Sequence, residues 1–207
     1  MKNYLKEFIF AALASILISI SCVVFLSTQN KVVGSIIFSV GLLTILSFKL
    51  NLFTGKAPYI CKNKLSYCLF VFIVWLGNFA GAWFTATLIK NTNIYSKIID
   101  QCLIIATAKS TDSLISLAIL GIFCGILMYI AVEAFNNYLC TNNVYLPILT
   151  IFCVSTFIIA GFEHSIADMF YFILALPIGK WFVPLIVISI GNALGGNLFC
   201  FICKNRL

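Results

Sequence analysis

The chain has 207 residues, of which 62% are hydrophobic and 9% charged. A soluble globular domain carries about 25% charged residues, so this composition excludes an ordinary soluble fold and points to a polytopic membrane protein. The net charge of +7 could suit a nucleic-acid binder, but the basic residues are scattered at segment ends without forming a stripe, and no nucleic-acid partner is expected.

Six apolar segments run along the chain, roughly 5–27, 32–58, 65–89, 112–135, 144–178 and 181–203. Each is long enough to cross a hydrocarbon core, which takes about 20 helical residues. The first follows Lys2 and Lys6, as a signal peptide would. Its apolar run is long and no small-residue cleavage site follows, so it reads as a span. The second ends in "FKLNLFTGKAP", where a Lys, an Asn, a Thr, a Gly and a Pro interrupt the apolar pattern. The third carries "GNFAG" at Gly77–Gly81. The fifth carries "FEHSIADMF" at Phe162–Phe170, with the single histidine of the chain, and the sixth carries "GNALG" at Gly191–Gly195. Segments two and five therefore read as helices broken near mid-membrane, where irregular backbone is tolerated only if it is buried in protein or lines a wet cavity.

Helix, broken helix and G-N-x-x-G helix thus occur twice, with "LFTG" from Leu52 set against "FEHS" from Phe162. Three spans per unit is an odd number, so the second copy enters the membrane inverted. The expected fold class is an all-α membrane protein, one domain over 1–207, with inverted repeats at about 1–100 and 101–207. Lys2, Lys6, Lys56, Lys62, Lys64, Lys204 and Arg206 on one side, against Lys31, Lys90, Lys97, Lys109 and Lys180 on the other, give a weak bias that puts both termini in the cytoplasm.

The nine cysteines mostly sit inside apolar runs, as do Cys22, Cys68, Cys124, Cys153 and Cys200. Cys200 and Cys203 form a lone C-x-x-C at the end of such a run. Small residues filling helix contacts explain them better than zinc or redox chemistry, so no metal or cofactor is expected. Heavy free-cysteine usage fits a reducing or anaerobic setting.

The half-helices of a broken span end in free backbone groups. Their N-termini carry positive partial charge that suits a small anion, and two such ends would meet near the midplane. His164 adds a group able to donate a hydrogen bond or a proton near neutral pH. A weak-acid anion taking either from His164 would cross the apolar constriction as a near-neutral species. A lone histidine in a soluble fold is more often a satisfied core residue, whereas an ionisable group beside a helix break inside a membrane is functional by default. Glu163 reads as structural, paired with backbone or a neighbouring subunit, and Asp168 as a cap or brace of the restarting helix. Asn78 and Asn192 read as hydrogen-bond braces beside glycines that let helices approach. Lys49 and Lys56 flank the first break and have the reach to snorkel to the interface. An intramembrane hydrolase is disfavoured, because no H-E-x-x-H occurs and the adjacent Glu163 and His164 would not share a helix face. An aquaporin-type pore lacks its Asn-Pro-Ala, and a membrane protein without a transport role would not need two matched breaks.

"NLFTGK", "GFEHSIADMF" and "GNALGG", in that order and over essentially the whole chain, resemble the formate/nitrite transporter family. The resemblance implies a homopentamer of six-span protomers in the lipid bilayer of the inner membrane. Each protomer would have an aquaporin-like fold and its own pore for small monovalent anions or their acids. Formate or nitrite comes first, with hydrosulfide, the substrate of compact family members, as the alternative. It also implies residue roles. His164 falls at the central pore histidine and Thr54 at its hydrogen-bonded threonine. Leu42, Leu52 and Phe53 fall at the cytoplasmic constriction, Phe38 and Phe157 at the periplasmic aromatic gate, and Asn192 in the G-N-x-x-G-G motif. Lys109 falls where a lysine draws anions into the periplasmic vestibule. The chain departs from the family in having Asn51 where an acidic residue is usual and Lys56 where Asn is common, with Lys49 added upstream. Those cations lead to an expectation of stronger anion attraction from the cytoplasmic mouth. Asp168 replaces a commoner Asn.

Overall fold

A computed structural model describes residues 3–204; Lys2, Arg206 and the side chain of Lys204, all counted in the charge bias, lie outside the described residues. Helix α1 spans Tyr4–Ser27 and α2 Lys31–Ser47, and the short α3, Phe53–Lys56, runs into a 3-10 turn at Ala57–Lys62. Then come α4 (Ser66–Lys90), α5 (Tyr95–Thr111), α6 (Leu114–Thr141), α7 (Tyr145–Ala160), α8 (Ser165–Ala175), a 3-10 turn at Ile178–Lys180, and α9 (Phe182–Lys204). No strand occurs among the described residues.

Asparagines start the first two helices. Asn3 accepts from Lys6 N at 3.2 Å, and Asn30 accepts from Val32 N and Val33 N at 3.0 and 3.2 Å, satisfying donors that have no partner within the helix. Helices α1, α4, α6 and α9 are each long and apolar enough to cross a membrane. The pair α7 and α8 passes the same test together but is bent by 46° at its break, and α2 is a shorter apolar helix. Apolar side chains cover the outside: Phe72 is 56% exposed, Ile104 71% and Ile115 75%. Surfaces of that kind are stable only against lipid or another subunit.

Helices α1 and α4 run parallel, with Gly77 against Phe8 and Ala11 and Gly81 against Ala12; α6 and α9 run parallel in the same manner, with Gly191 against Ala118 and Gly195 against Ile122. A methyl group added at Gly195 would land on the Ile122 backbone carbonyl, so the glycine is what permits this approach. The start of α1, the 3-10 turn after α3, and the ends of α6 and α9 share one face, here called the terminal face. The end of α4, the start of α6 and the end of α8 lie at the opposite one, where Lys90 Nζ donates to Ile173 O at 3.0 Å.

Helix α5 is a departure from the sequence expectation, which left 90–111 as a connection. Only Ile98, Cys102 and Ala106 of it are buried, one residue per turn on a single stripe. Such a thin apolar face escapes a search for spans. The stripe packs on α8, where the Cys102 thiol reaches Tyr171 O at 3.6 Å. Helix α6 also runs further than expected, to Thr141 rather than 135.

Replacing Gly195 by Ala is expected to destabilise the protein by about 1–3 kcal/mol through overpacking. Gly179, which has nothing within 4 Å of an added Cβ, should accept Ala without effect. Thermal unfolding in detergent compares the two, and equal melting temperatures would refute the close-packing argument.

Candidate functional site

Two interruptions of helix meet in the middle of the molecule. Between α2 and α3 the chain turns through Lys49, whose φ of 54° is left-handed, and then extends through Leu52. Between α7 and α8 it turns at Gly161, with φ 74°, and extends through His164. Left-handed backbone ends a helix at little cost when the residue is glycine.

Each break is braced by one buried asparagine. Asn78 of α4 accepts from Phe53 N at 2.8 Å and donates to Ala11 O at 2.6 Å and Asn51 O at 3.0 Å. Asn192 of α9 accepts from Ser165 N at 2.9 Å and donates to Gly121 O at 2.9 Å and Glu163 O at 2.7 Å. These are the braces that the two G-N-x-x-G motifs suggest. The bonds also fix a register: Leu52 holds at the first break the position His164 holds at the second, whereas the alignment of "LFTG" with "FEHS" matches it to Phe162. Several N–H donors of the half-helix N-termini are therefore already taken. Phe53 N and Ser165 N go to the asparagines, Ala167 N to His164 Nδ1 at 3.2 Å, and Asp168 N to His164 O at 2.9 Å.

The side-chain donors are His164 and Thr54, which lie 3.0 Å apart from Nε2 to Oγ1 and join the two breaks. Both are buried. Because Nδ1 accepts the Ala167 N–H, a neutral ring carries its proton on Nε2 and donates it to Thr54. Phe157 stacks on the His164 ring, with centroids 5.3 Å apart and planes 10° apart, and Phe38 meets Phe157 edge-on at 6.4 Å.

Two cavities approach this centre. One, of about 310 Å³, opens to the face away from the termini and is walled by Phe38, Phe157, His164, Lys109, Asp168 and Lys31 among others. The other, of about 510 Å³, opens to the terminal face and is walled by Leu42, Leu52, Lys49, Lys56, Tyr59 and Tyr67 among others. Phe38 and Leu42, one turn apart on α2, thus belong to opposite cavities. Phe53 does not join them. It lines an apolar groove between α4 and α9 with Trp75 and Ile190, because the extended backbone at Leu52 sends successive side chains to opposite sides.

Lys109, in the last turn of α5, is not a free cation. Its ammonium is ion-paired with Glu163 and lies 3.1 Å from Asp168 Oδ1. Asp168 is therefore a counter-ion of Lys109 rather than the helix cap, a place taken by His164. Its Oδ2 is buried with no hydrogen-bond partner among the described residues. Sequence reasoning also missed two contacts. Asn51 donates to the Glu7 carboxylate at 2.6 Å, which brings an acid from α1 beside the position where the family resemblance leads one to expect an acidic residue. Asn197 accepts from Cys61 N and donates to Ala57 O, tying the 3-10 turn to α9. Neither pairing has a local signature, though Asn197 extends "GNALGG" by one polar residue. Among the described residues no three His, Cys, Asp or Glu side chains gather as a metal site.

The sequence profile of the formate/nitrite transporter family matches residues 2–204. The formate channel FocA of Escherichia coli strain K12 is 26% identical over 224 aligned positions, covering 93% of this chain and 74% of that one. FocA of Haemophilus influenzae is 26% identical over 193, covering 86% and 67%. Two solved structures share the fold. An FNT family ion channel superposes with a TM-score of 0.85 at 19% identity, over 99% of this chain and 90% of that chain. A pentameric formate channel with formate bound superposes with a TM-score of 0.80 at 20% identity, over 98% and 96%.

Removing the Lys109 charge alone strands two buried carboxylates, so Lys109→Ala should cost about 3–5 kcal/mol of stability rather than only weakening anion uptake. Neutralising the whole cluster with Lys109→Met, Glu163→Gln and Asp168→Asn should restore most of that loss. Thermal unfolding of the single and triple variants checks this, and a Lys109→Ala protein as stable as the parent would refute the ion-pair account.

Proposed function

This chain belongs to the formate/nitrite transporter family, and from that premise we propose that it is a passive or proton-coupled channel for small monovalent anions or their acids, formate or nitrite first. The observation that carries this reading is the His164–Thr54 hydrogen bond, set between two cavities that open to opposite faces. An anion leaving either cavity meets an apolar collar, Phe38 and Phe157 on one side and Leu42 and Leu52 on the other. An ion stripped of water there is costly to hold. The Nε2–H of His164 and the hydroxyl of Thr54 replace part of the lost hydration by charge-assisted hydrogen bonds, which are about twice as strong as neutral ones. A substrate that can also take up a proton crosses more easily still.

The protein then acts as one domain of six spans, α2 completed by α3 and its 3-10 turn, α7 by α8. The two halves are related as inverted repeats, a relation supported by the matching braces of Asn78 and Asn192. Both termini lie in the cytoplasm, and the setting is the inner membrane. The apolar outer surface suits a homopentamer, the assembly named for one of its structural neighbours. Hydrosulfide is the alternative substrate.

Flux of formate, nitrite, hydrosulfide and lactate into proteoliposomes, at acidic and at near-neutral pH, tests the reading. Formate or nitrite should dominate. Passage of hydrosulfide alone would change the substrate and keep the pore. His164→Asn, which retains a cap acceptor for Ala167 N but loses the imidazole, should reduce formate flux by about tenfold or more, the equivalent of one strong hydrogen bond at the barrier. His164→Phe, with neither cap nor donor, should abolish acid-coupled flux. Unchanged flux in both variants would remove His164 from the pathway.

A further inference from the structure

Three cysteines stand at the terminal face, none of them a wall of either cavity. Cys61 belongs to the 3-10 turn that continues the first broken span, and Cys200 and Cys203 belong to the last turns of α9. Packing of small residues accounts for cysteines inside the apolar runs, but Cys61 is exposed and its thiol is turned to α9. Turn and helix run in register there. A Cβ added at Gly196 would meet the Pro58 ring at 2.5 Å, so the two segments touch at that level. One step on, Asn197 accepts from Cys61 N at 2.9 Å, and the Cys61 thiol donates to Asn197 O at 3.8 Å. The next turn of α9 carries Cys200, whose thiol lies beside that of Cys61.

The two thiols are unequal. Cys61 is exposed, and the residues that follow it, Lys62, Asn63 and Lys64, are exposed and polar, which places it against water rather than lipid. Cys200 is fully buried. A thiol of the first kind meets reagents from solution, and one of the second kind reacts only with the group it touches. An accessible thiol beside a resolving thiol is the arrangement from which reversible protein disulfides form.

We propose that Cys61 and Cys200 are a reversible disulfide site, oxidised by low-molecular-weight disulfides, that locks the segment of the first break to α9. The Cys61 thiolate attacks one sulfur of the small disulfide RSSR, forms a mixed disulfide with it and expels RS⁻. The Cys200 thiolate then attacks the Cys61 sulfur and expels the second RS⁻. The protein gives up two electrons and two protons, and RSSR is reduced to two RSH. The bond closes a loop of more than half the chain, so it removes much of the freedom of the unfolded state. In the folded protein it fastens the turn that follows Thr54 and carries Tyr59, a wall of the terminal-face cavity. Under the proposed orientation this end faces the cytoplasm, where disulfides are kept reduced apart from transient, redox-sensing pairs. The thiol chemistry itself does not depend on the channel reading.

The test treats the purified protein in detergent with glutathione disulfide, digests it without reduction and reads the peptides by mass spectrometry. A peptide pair joined through Cys61 and Cys200 should appear in the parent, disappear on treatment with dithiothreitol, and be absent from Cys61→Ser. The oxidised parent should unfold about 5 °C or more above the reduced parent, the shift expected of one disulfide across a long loop. Cys61→Ser should show no such gain, and Cys203→Ser should behave as the parent. The comparison of oxidised with reduced parent needs no variant to fold. Recovery of Cys61 as a free thiol, as a mixed disulfide with glutathione alone, or joined to Cys203 would overturn the site. A joined pair that leaves the melting temperature unchanged would overturn the lock.

Discussion

Backbone polar groups inside a hydrocarbon layer must find partners within the protein, and the rest of this structure depends on how that constraint is met at the two breaks. An open peptide group there costs several kcal/mol. Asn78 and Asn192 each use one oxygen and two amide hydrogens to satisfy three backbone groups from three chain segments. Each asparagine sits between glycines that bring its helix against a parallel neighbour, so the amide reaches Ala11 or Gly121 as well as the break. Only because both interruptions are closed in this way can irregular chain meet at the centre and bring Thr54 to His164.

Charge is managed by the same economy of placement. The break before α8 carries Glu163 and Asp168 into buried positions, and α5 lies across it to deliver Lys109 between them. Buried carboxylates without that counter-ion would oppose the fold. Lys109 thus carries two carboxylate partners, whereas Lys49 and Lys56 line the other cavity. Glu7, engaged by Asn51, keeps its carboxylate close to the first break without lining the cavity.

Much of the fold was legible in the sequence, because span length, interruption and the repeated G-N-x-x-G are local signals. The apolar segments, both breaks and the bracing asparagines follow from them, whereas the meeting of Thr54 with His164 was implied only by the family resemblance. What escaped was set by tertiary packing. Helix α5 hides because one buried residue per turn leaves too thin a stripe to see. The register of Leu52 with His164 is fixed by which N–H each asparagine accepts, and the letters "LFTG" and "FEHS" do not carry it. Phe53 turns away from the pore because its neighbour is extended, a backbone state that no side-chain pattern announces. The pairing of Lys109 with Glu163 and Asp168 joins residues on different helices.

The cap of α8 also bears on how a histidine in this position can serve an anion. With Nδ1 occupied by the Ala167 N–H, the ring offers its single proton from Nε2, toward Thr54. Giving that proton away outright would leave an imidazolate unless Nδ1 were protonated first, and Nδ1 can be protonated only after the helix cap opens. Hydrogen bonding from Nε2 requires no such rearrangement. Under the proposed function, His164 therefore acts first as a fixed hydrogen-bond donor with Thr54 beside it. Full proton transfer becomes tied to release of the first turn of α8, the helix whose opening residues hold Asp168 and, through it, Lys109. Ion binding at the centre and the ion cluster beside it are in this way mechanically connected by one turn of helix.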